Sequence, residues 1–251
     1  MRRALVLLAL LVATSSMAQH RSMRLLLPAR DFSGYAKFLH TFGFTTLDSV
    51  HSIVRLGDGQ VFAALMRLDD ELKGPQLALF VDDIGHVDTL LSTESGVNVF
   101  RGEDGQISEI DVHAPGGVML FIHPSAQGSM QQPPMTANPA CGAFVEFSVP
   151  VTDVDAAAKF WKLFGFAESY RGEQPHRVVR LGNGSFTIGL HQDPNTERSI
   201  TYASRTAAEM IEAIRAKGIE PILSDDGKNG GAVMASFESP EGLIVNILGL
   251  R

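Results

Sequence analysis

The 251-residue sequence predicts an α+β fold of four βαβββ modules, two in each of two tandem domains. Three observations predict it. At a constant offset of 122, residues 24–44 and 146–166 share eight of 21 positions, among them Pro28/Pro150, Asp31/Asp153, Phe38/Phe160 and the Phe-Gly-Phe runs at 42–44 and 164–166. After a slip of three residues, Arg55-Leu56-Gly57-Asp58-Gly59 answers Arg180-Leu181-Gly182-Asn183-Gly184, and Pro115 and Gly117 answer Pro240 and Gly242. Within each half, an apolar strand, a helix and glycine-punctuated strands follow one another twice.

The first 18 residues stand outside this pattern. Arg2-Arg3 makes a positive start, Ala4 to Ala13 is apolar, and Ser16-Met17-Ala18 supplies small residues before Gln19. That is the layout of a secretory signal peptide cleaved after Ala18. The apolar run is too short to span a hydrocarbon layer of ~30 Å, and no cysteine follows the cleavage point to carry a lipid. The mature chain is therefore expected to be exported, to the periplasm, with no membrane anchor. Loss of Arg2 and Arg3 takes the net charge from −7 to −9, and without basic runs a nucleic-acid partner is excluded. Cys141 is the sole cysteine, so no internal disulfide forms and the residue reads as a small apolar filler.

Each copy opens on a short strand. Asp31 and Asp153 then N-cap a helix by accepting from its free first-turn amides. Phe32, Tyr35, Phe38, Leu39 and Phe42 fall on one helical stripe, as do Val154, Ala157, Phe160, Trp161 and Phe164. Gly43 and Gly165 end these helices, where a positive φ costs glycine little. Strands follow, turning at Asp58 and Asn183. The second cycle of the first copy runs from the strand at 76–81 through a helix capped by Asp83 to strands at 97–100, 107–112 and 118–122. Its counterpart runs from a strand near 200–203 through a helix bearing Met210, Ile211 and Ile214 to strands at 233–237 and 243–248. Residues 125–141 are rich in Pro, Gln, Ser and Met, a linker composition with little to bury. The domains are thus expected at 22–124 and 142–249.

The strand–Asp–helix–Phe-Gly-Phe openings, with the closing turns His113-Ala114-Pro115-Gly116-Gly117 and Glu238-Ser239-Pro240-Glu241-Gly242, resemble the vicinal oxygen chelate superfamily. That group holds glyoxalase I, extradiol dioxygenases and bleomycin-resistance proteins. The resemblance covers almost the whole mature chain and implies that paired modules curl their mixed sheets into tandem cups, binding ligand or metal on the concave face. Metal enzymes of the group take His, Glu or Gln ligands from the first and last strand of each module. The corresponding positions here are Arg24, Ala64, Gln76 and Phe121 in the first domain, and Glu146, Gly189, Ser199 and Asn246 in the second. Arginine has only donors, and alanine and phenylalanine offer no ligand atom, which leaves Gln76 alone. In the second domain Glu146 is the strong ligand, with the Asn246 carbonyl and with His191, which shares the strand face of Gly189. Since the pattern is broken in both domains, no metal or other cofactor is expected, a divalent ion on Glu146, His191 and Asn246 being the alternative. His123 shares strand parity with Phe121 and can face the first cup; His40, His51, His113 and His176 read as surface or cup-lining polar residues.

Two functions follow from different classes. One is a metal-free binding protein whose apolar walls and few polar anchors hold a small, partly apolar molecule. Phe121 would add a stacking surface, Arg24 and Gln76 would face an anionic or amide group, and Glu146, His191 and Asn246 would anchor the second cup. The other is a glyoxalase-like lyase or isomerase. Glu146, the best catalytic candidate, would there be a metal ligand, or a general base with its pKa raised by an apolar cup. An exported protein meets little glutathione, which weighs against the glyoxalase substrate. A scaffold with filled cups is a third reading; enzyme activity and a homodimer both stay open at this point.

Overall fold

The structure is a computed structural model that describes residues 21–50, 52–67, 72–128, 138, 140–227 and 233–250. The segment 1–18 expected to be a signal peptide, His51 and most of the linker lie outside them. The first half comprises β1 (Arg21–Pro28), α1 (Phe32–Thr41), β2 (Thr45–Val50), β3 (Ile53–Gly57), β4 (Phe62–Met66), β5 (Gln76–Val81), α2 (Ile84–Leu91), β6 (Val97–Arg101), β7 (Ile107–Ala114) and β8 (Val118–Pro124). The second comprises β9 (Ala143–Pro150), α3 (Val154–Leu163), β10 (Ala167–Gly172), β11 (Val178–Gly182), β12 (Thr187–His191), β13 (Ser199–Ser204), α4 (Ala207–Arg215), β14 (Leu223–Asp225), β15 (Met234–Glu238) and β16 (Ile244–Gly249).

Each half forms one eight-stranded mixed sheet, in the orders β2-β3-β4-β1-β5-β8-β7-β6 and β10-β11-β12-β9-β13-β16-β15-β14. The two opening strands lie antiparallel at the centre, β1 on β5 and β9 on β13. Each is flanked by the closing strand of its own module, running parallel to it. The chain is therefore α+β, four βαβββ modules in two open cups. The edge strand β14 has no counterpart among the strands expected from sequence. Its three residues are all exposed, so no alternation marks it.

The local signals act as chemistry requires. Asp31 Oδ1 accepts from Gly34 N at 3.0 Å, and Asp153 Oδ1 from Asp155 N at 2.9 Å and Ala156 N at 3.0 Å. Gly43 and Gly165 take φ of +86° and +75° just past the helix ends. Strand alternation then sorts the sheet faces. Met23, Leu25 and Leu27 of β1, with Phe147 and Val149 of β9, face the helices, and they belong to one apolar core containing residues of both halves. Arg24, Leu26, Glu146 and Ser148 face the other way, into the cups.

The seam between the halves is closely made. Phe42 meets Phe237 edge-on, with centroids 5.4 Å apart. Glu241 Oε1 accepts from Arg30 N at 2.7 Å and Asp31 N at 3.1 Å, so a turn of the second half sits over the start of α1. Asp58 is buried there: Oδ1 accepts from Gln60 N and Val61 N at 2.8 and 2.6 Å, while Oδ2 accepts from Asn138 Nδ2 at 2.9 Å and from the Tyr202 hydroxyl. The linker composition predicts little burial, but its end is buried: Asn138 Nδ2 also donates to the Phe42 carbonyl, as does the Cys141 thiol at 3.3 Å. These residues plug the seam, and burial pushes the Cys141 thiol up, away from ionisation.

Candidate functional site

The second cup encloses about 680 Å³. Glu146 stands at its floor with 2% of its surface exposed. Its Oε1 accepts from His191 Nε2 at 2.6 Å and Ser148 Oγ at 2.9 Å, and its Oε2 accepts from Arg180 Nε. His191 Nδ1 lies 2.9 Å from His176 Nε2, extending the chain to the rim. Register explains the meeting: Arg180 on β11 pairs with Gly189 on β12, and Gly189 pairs with Ser148 on β9. A Cβ at Gly189 would fall within 2.5 Å of both Glu146 oxygens, so the missing side chain is what gives the carboxylate its place. Asn246 continues the polar floor, accepting from Ser236 Oγ at 2.7 Å and donating to Ser199 Oγ at 3.0 Å and Thr201 Oγ1 at 3.3 Å. Ile222, Leu223, Met234 and Leu248 supply apolar lining.

The electrostatics correct the expectation of a raised Glu146 pKa. Burial does push the carboxyl up, but the hydrogen bonds and charges of His191 and Arg180 outweigh it and hold the group at about 2. A carboxylate so stabilised is a structural anion rather than a base poised near neutrality. We expect Gly189→Ala to expel it from this place and cost about 1–3 kcal/mol in urea unfolding, the usual range for overpacking. A change below 0.5 kcal/mol would show that Glu146 does not need the space.

The first cup, about 440 Å³, is built differently. Leu26, Ala64, Ala78 and Phe80 form a buried apolar cluster, with Phe121 and Met66 packed on it. The Arg24 guanidinium lies 4.3 Å from the Phe80 ring centroid, and Phe80 stacks on His123 at 5.4 Å. Arg55 Nε lies 2.8 Å from Asp48 Oδ1, and His123 Nδ1 lies 3.3 Å from Glu109 Oε2. Burial pulls the His123 pKa down, whereas burial and then neighbouring Glu109 push Asp111 up to about 7.

The structure thus brings Glu146, His191 and Asn246 into one cup and Arg24 and Phe121 into the other. Gln76 departs from its expected role. Its side-chain nitrogen donates to the Lys73 and Gly74 carbonyls at 3.0 and 3.1 Å, and its oxygen accepts from Met119 N at 2.6 Å. The buried amide is spent on unpaired backbone at the strand's start and ties down that loop. Sequence reasoning missed Arg180 and Ser148. It read His176 as a surface or cup-lining residue; His176 does line this cup, but its pairing to His191 was not anticipated. Arg180 sits in the repeated Arg-Leu-Gly stretch, and Ser148 follows Glu146 at strand period, so both carried a readable signal. His176 precedes β11, outside the strand pattern that would have paired it with His191.

No family model matches the sequence, and no curated protein matches it. Solved structures do share the fold. A catechol 2,3-dioxygenase superposes with a TM-score of 0.60 at 15% identity, covering 91% of this chain and 87% of that one. The Mn(II)-bound glyoxalase from Novosphingobium aromaticivorans gives 0.59 at 14%, covering 92% and 82%. Homoprotocatechuate 2,3-dioxygenase from Arthrobacter globiformis gives 0.58 at 13%, covering 91% and 78%. These are vicinal oxygen chelate proteins, and the chain has their fold, in the tandem arrangement that its sequence resembles.

The donors in the second cup can be tested against a divalent ion, which needs several lone pairs converging at ~2.0–2.2 Å. Glu146 and His191 are hydrogen-bonded to each other, the second Glu146 oxygen is taken by a guanidinium, and the Asn246 carbonyl is engaged by Ser236. Among the described residues no three His, Cys, Asp or Glu side chains gather to hold an ion. As arranged, this donor set does not fit one.

Proposed function

We propose that this chain is an exported binding protein that holds a small, partly apolar molecule in a cup of the vicinal oxygen chelate fold, without a metal. The observation that carries the reading is the pairing of Glu146 with Arg180 and His191. The cup's anion has its counter-charge within the chain, and a metal would have to displace a guanidinium to reach it. The polar floor and apolar lining suit an organic ligand of mixed character. Export rests on the leader-like residues 1–18. The competing reading, a metal-dependent lyase or isomerase acting through Glu146, His191 and Asn246, draws on the enzymes that share the fold.

Metal analysis separates the two. Purified protein from cells supplied in turn with Zn, Ni, Fe and Mn is expected to carry only trace metal. Near-stoichiometric metal that disappears in Glu146→Ala would establish the enzyme reading instead. A thermal-shift screen of small organic molecules then tests the cup, since a ligand at 100 times its Kd stabilises by ~2.7 kcal/mol.

A further inference from the structure

The polar floor of the second cup continues to the rim as a chain of hydrogen bonds whose direction is fixed at its buried end. Glu146 is ionised and can only accept, so the proton of its bond to His191 belongs to His191 Nε2. In a neutral imidazole the other nitrogen is then a lone pair. His191 Nδ1 therefore accepts, and the proton of the 2.9 Å contact with His176 belongs to His176 Nε2. By the same rule His176 Nδ1 carries a lone pair. The charged groups around it do not supply the proton it lacks. Asp193 Oδ2, at 3.7 Å, is beyond hydrogen-bond reach and is itself an acceptor. Arg180 is turned to the other oxygen of Glu146, and Arg177 donates to Gln192 and Asp155. Glu197, which also lines the cup, is again an acceptor.

We infer that the second cup takes a molecule with an apolar body and one N–H or O–H donor, and that the donor is received by His176 Nδ1, which Glu146 holds as an acceptor through His191. This rests on the small-molecule-binding reading and adds the hydrogen-bond polarity that the ligand must have. His176 lines the cup with its side chain 27% exposed, so the ring can be reached. Ile222, Leu223, Met234 and Leu248 line the same cavity. Ile222 and Leu223 leave more than half of their surface exposed, which an apolar body would cover. The Asp193 carboxylate beside Nδ1 favours the positive end of a donor dipole there. Deeper in the cup Glu146 is engaged by His191, Ser148 and Arg180, and Asn246 by Ser236, Ser199 and Thr201. A ligand's donor is thus directed to the rim nitrogen rather than to the floor. Glu146 and His191 act as positioning residues: they set the tautomer of His176 without touching the ligand.

Calorimetric titration of the whole protein at pH 8.5, above the ordinary imidazole value of ~6.5, compares indole with benzofuran, which has the same shape and an oxygen in place of N–H. Indole is expected to bind about tenfold more tightly, a difference of ~1.4 kcal/mol. His176→Phe should remove this preference and leave benzofuran binding. Glu146→Gln should remove it with His176 still in place. Arg180 requires the amide oxygen, so the amide nitrogen donates to His191 Nε2 and each bond of the chain reverses, which turns His176 Nδ1 into a donor. Long-range proton–nitrogen NMR correlations read the tautomers without any ligand, and in the wild type alone if a variant does not fold. Both rings are expected as the Nε2–H form in the wild type and as the Nδ1–H form in Glu146→Gln. Equal or absent binding of the two probes, a preference that survives either substitution, or an Nδ1–H ring in the wild type would each overturn the inference. The general binding reading is decided separately by the ligand screen, where other compounds would still stabilise the protein.

Discussion

Replacing Glu146 with glutamine should cost about 2–3 kcal/mol of stability at neutral pH, and the difference from wild type should fade as the pH falls toward 2. The side chain keeps its shape in Gln, so the change isolates the charge. The folded carboxyl is held at about 2 against an ordinary 4.5. A depressed carboxyl contributes stability that is present above the unfolded value and lost as pH falls through the folded one. Two and a half pH units correspond to roughly 3 kcal/mol. The side chain is 3% exposed, so little of this is screened away, but Arg180 is a third exposed and can rehydrate once unpaired. That keeps the cost below the ~3–5 kcal/mol of a fully buried broken pair. Urea titrations of both proteins from pH 7 to pH 2.5 check it. A gap that stays constant with pH would mean that Glu146 contributes by shape and not by charge.

The second large effect is expected far from either cup. Asp58→Ala should cost about 4 kcal/mol, because it strands the donors of Gln60, Val61, Asn138 and Tyr202 in a buried seam, each worth ~1–3 kcal/mol when unsatisfied. Asp58→Asn should cost about half as much. The repeat itself supplies the comparison: Asn183 holds the equivalent turn, its Oδ1 accepting from Ser185 N at 3.1 Å and Phe186 N at 2.9 Å. Asparagine can therefore make the turn with its oxygen, but the amide nitrogen that replaces Oδ2 cannot accept from Asn138 and Tyr202. Chemical unfolding of the two variants gives the ranking, and equal costs would refute the separation of turn from seam.

The division between what sequence made legible and what it did not has a physical basis. Helix caps and C-terminal glycines depend on neighbours a few residues away, so Asp31 and Gly43 could be read directly, while the cup-facing place of Glu146 followed from the family resemblance. Gln76 and Glu146 show the limit. The family alignment puts both on cup-facing strand positions, but each side chain's role is set by hydrogen-bond partners that strand alternation does not reveal. Gln76 met the backbone of the Lys73–Gly74 loop and of Met119 and became a staple. Glu146 met Arg180 and His191, and its pKa went down where an apolar cup alone would have raised it. Asn138 and Cys141 make the same point for the linker, whose composition says nothing of the gap it ends in. Arg180 differs: it was visible in the repeated Arg-Leu-Gly stretch, and pairing it with Glu146 required only the register of β11, β12 and β9.

The shared core places the two copies under unequal freedom to change. Their helix-bearing faces, caps and turns are pressed against one another, so a substitution there is felt by both halves at once and each copy restrains the other's drift. The cups lie on the opposite faces of the sheets, outside that mutual restraint. One could become a polar basin around a paired carboxylate and the other an apolar one edged by Arg24, Arg55 and Glu109 while the framework stayed the same. Fusing two copies into a single folding unit thus permits a division of labour that neither copy could have explored alone.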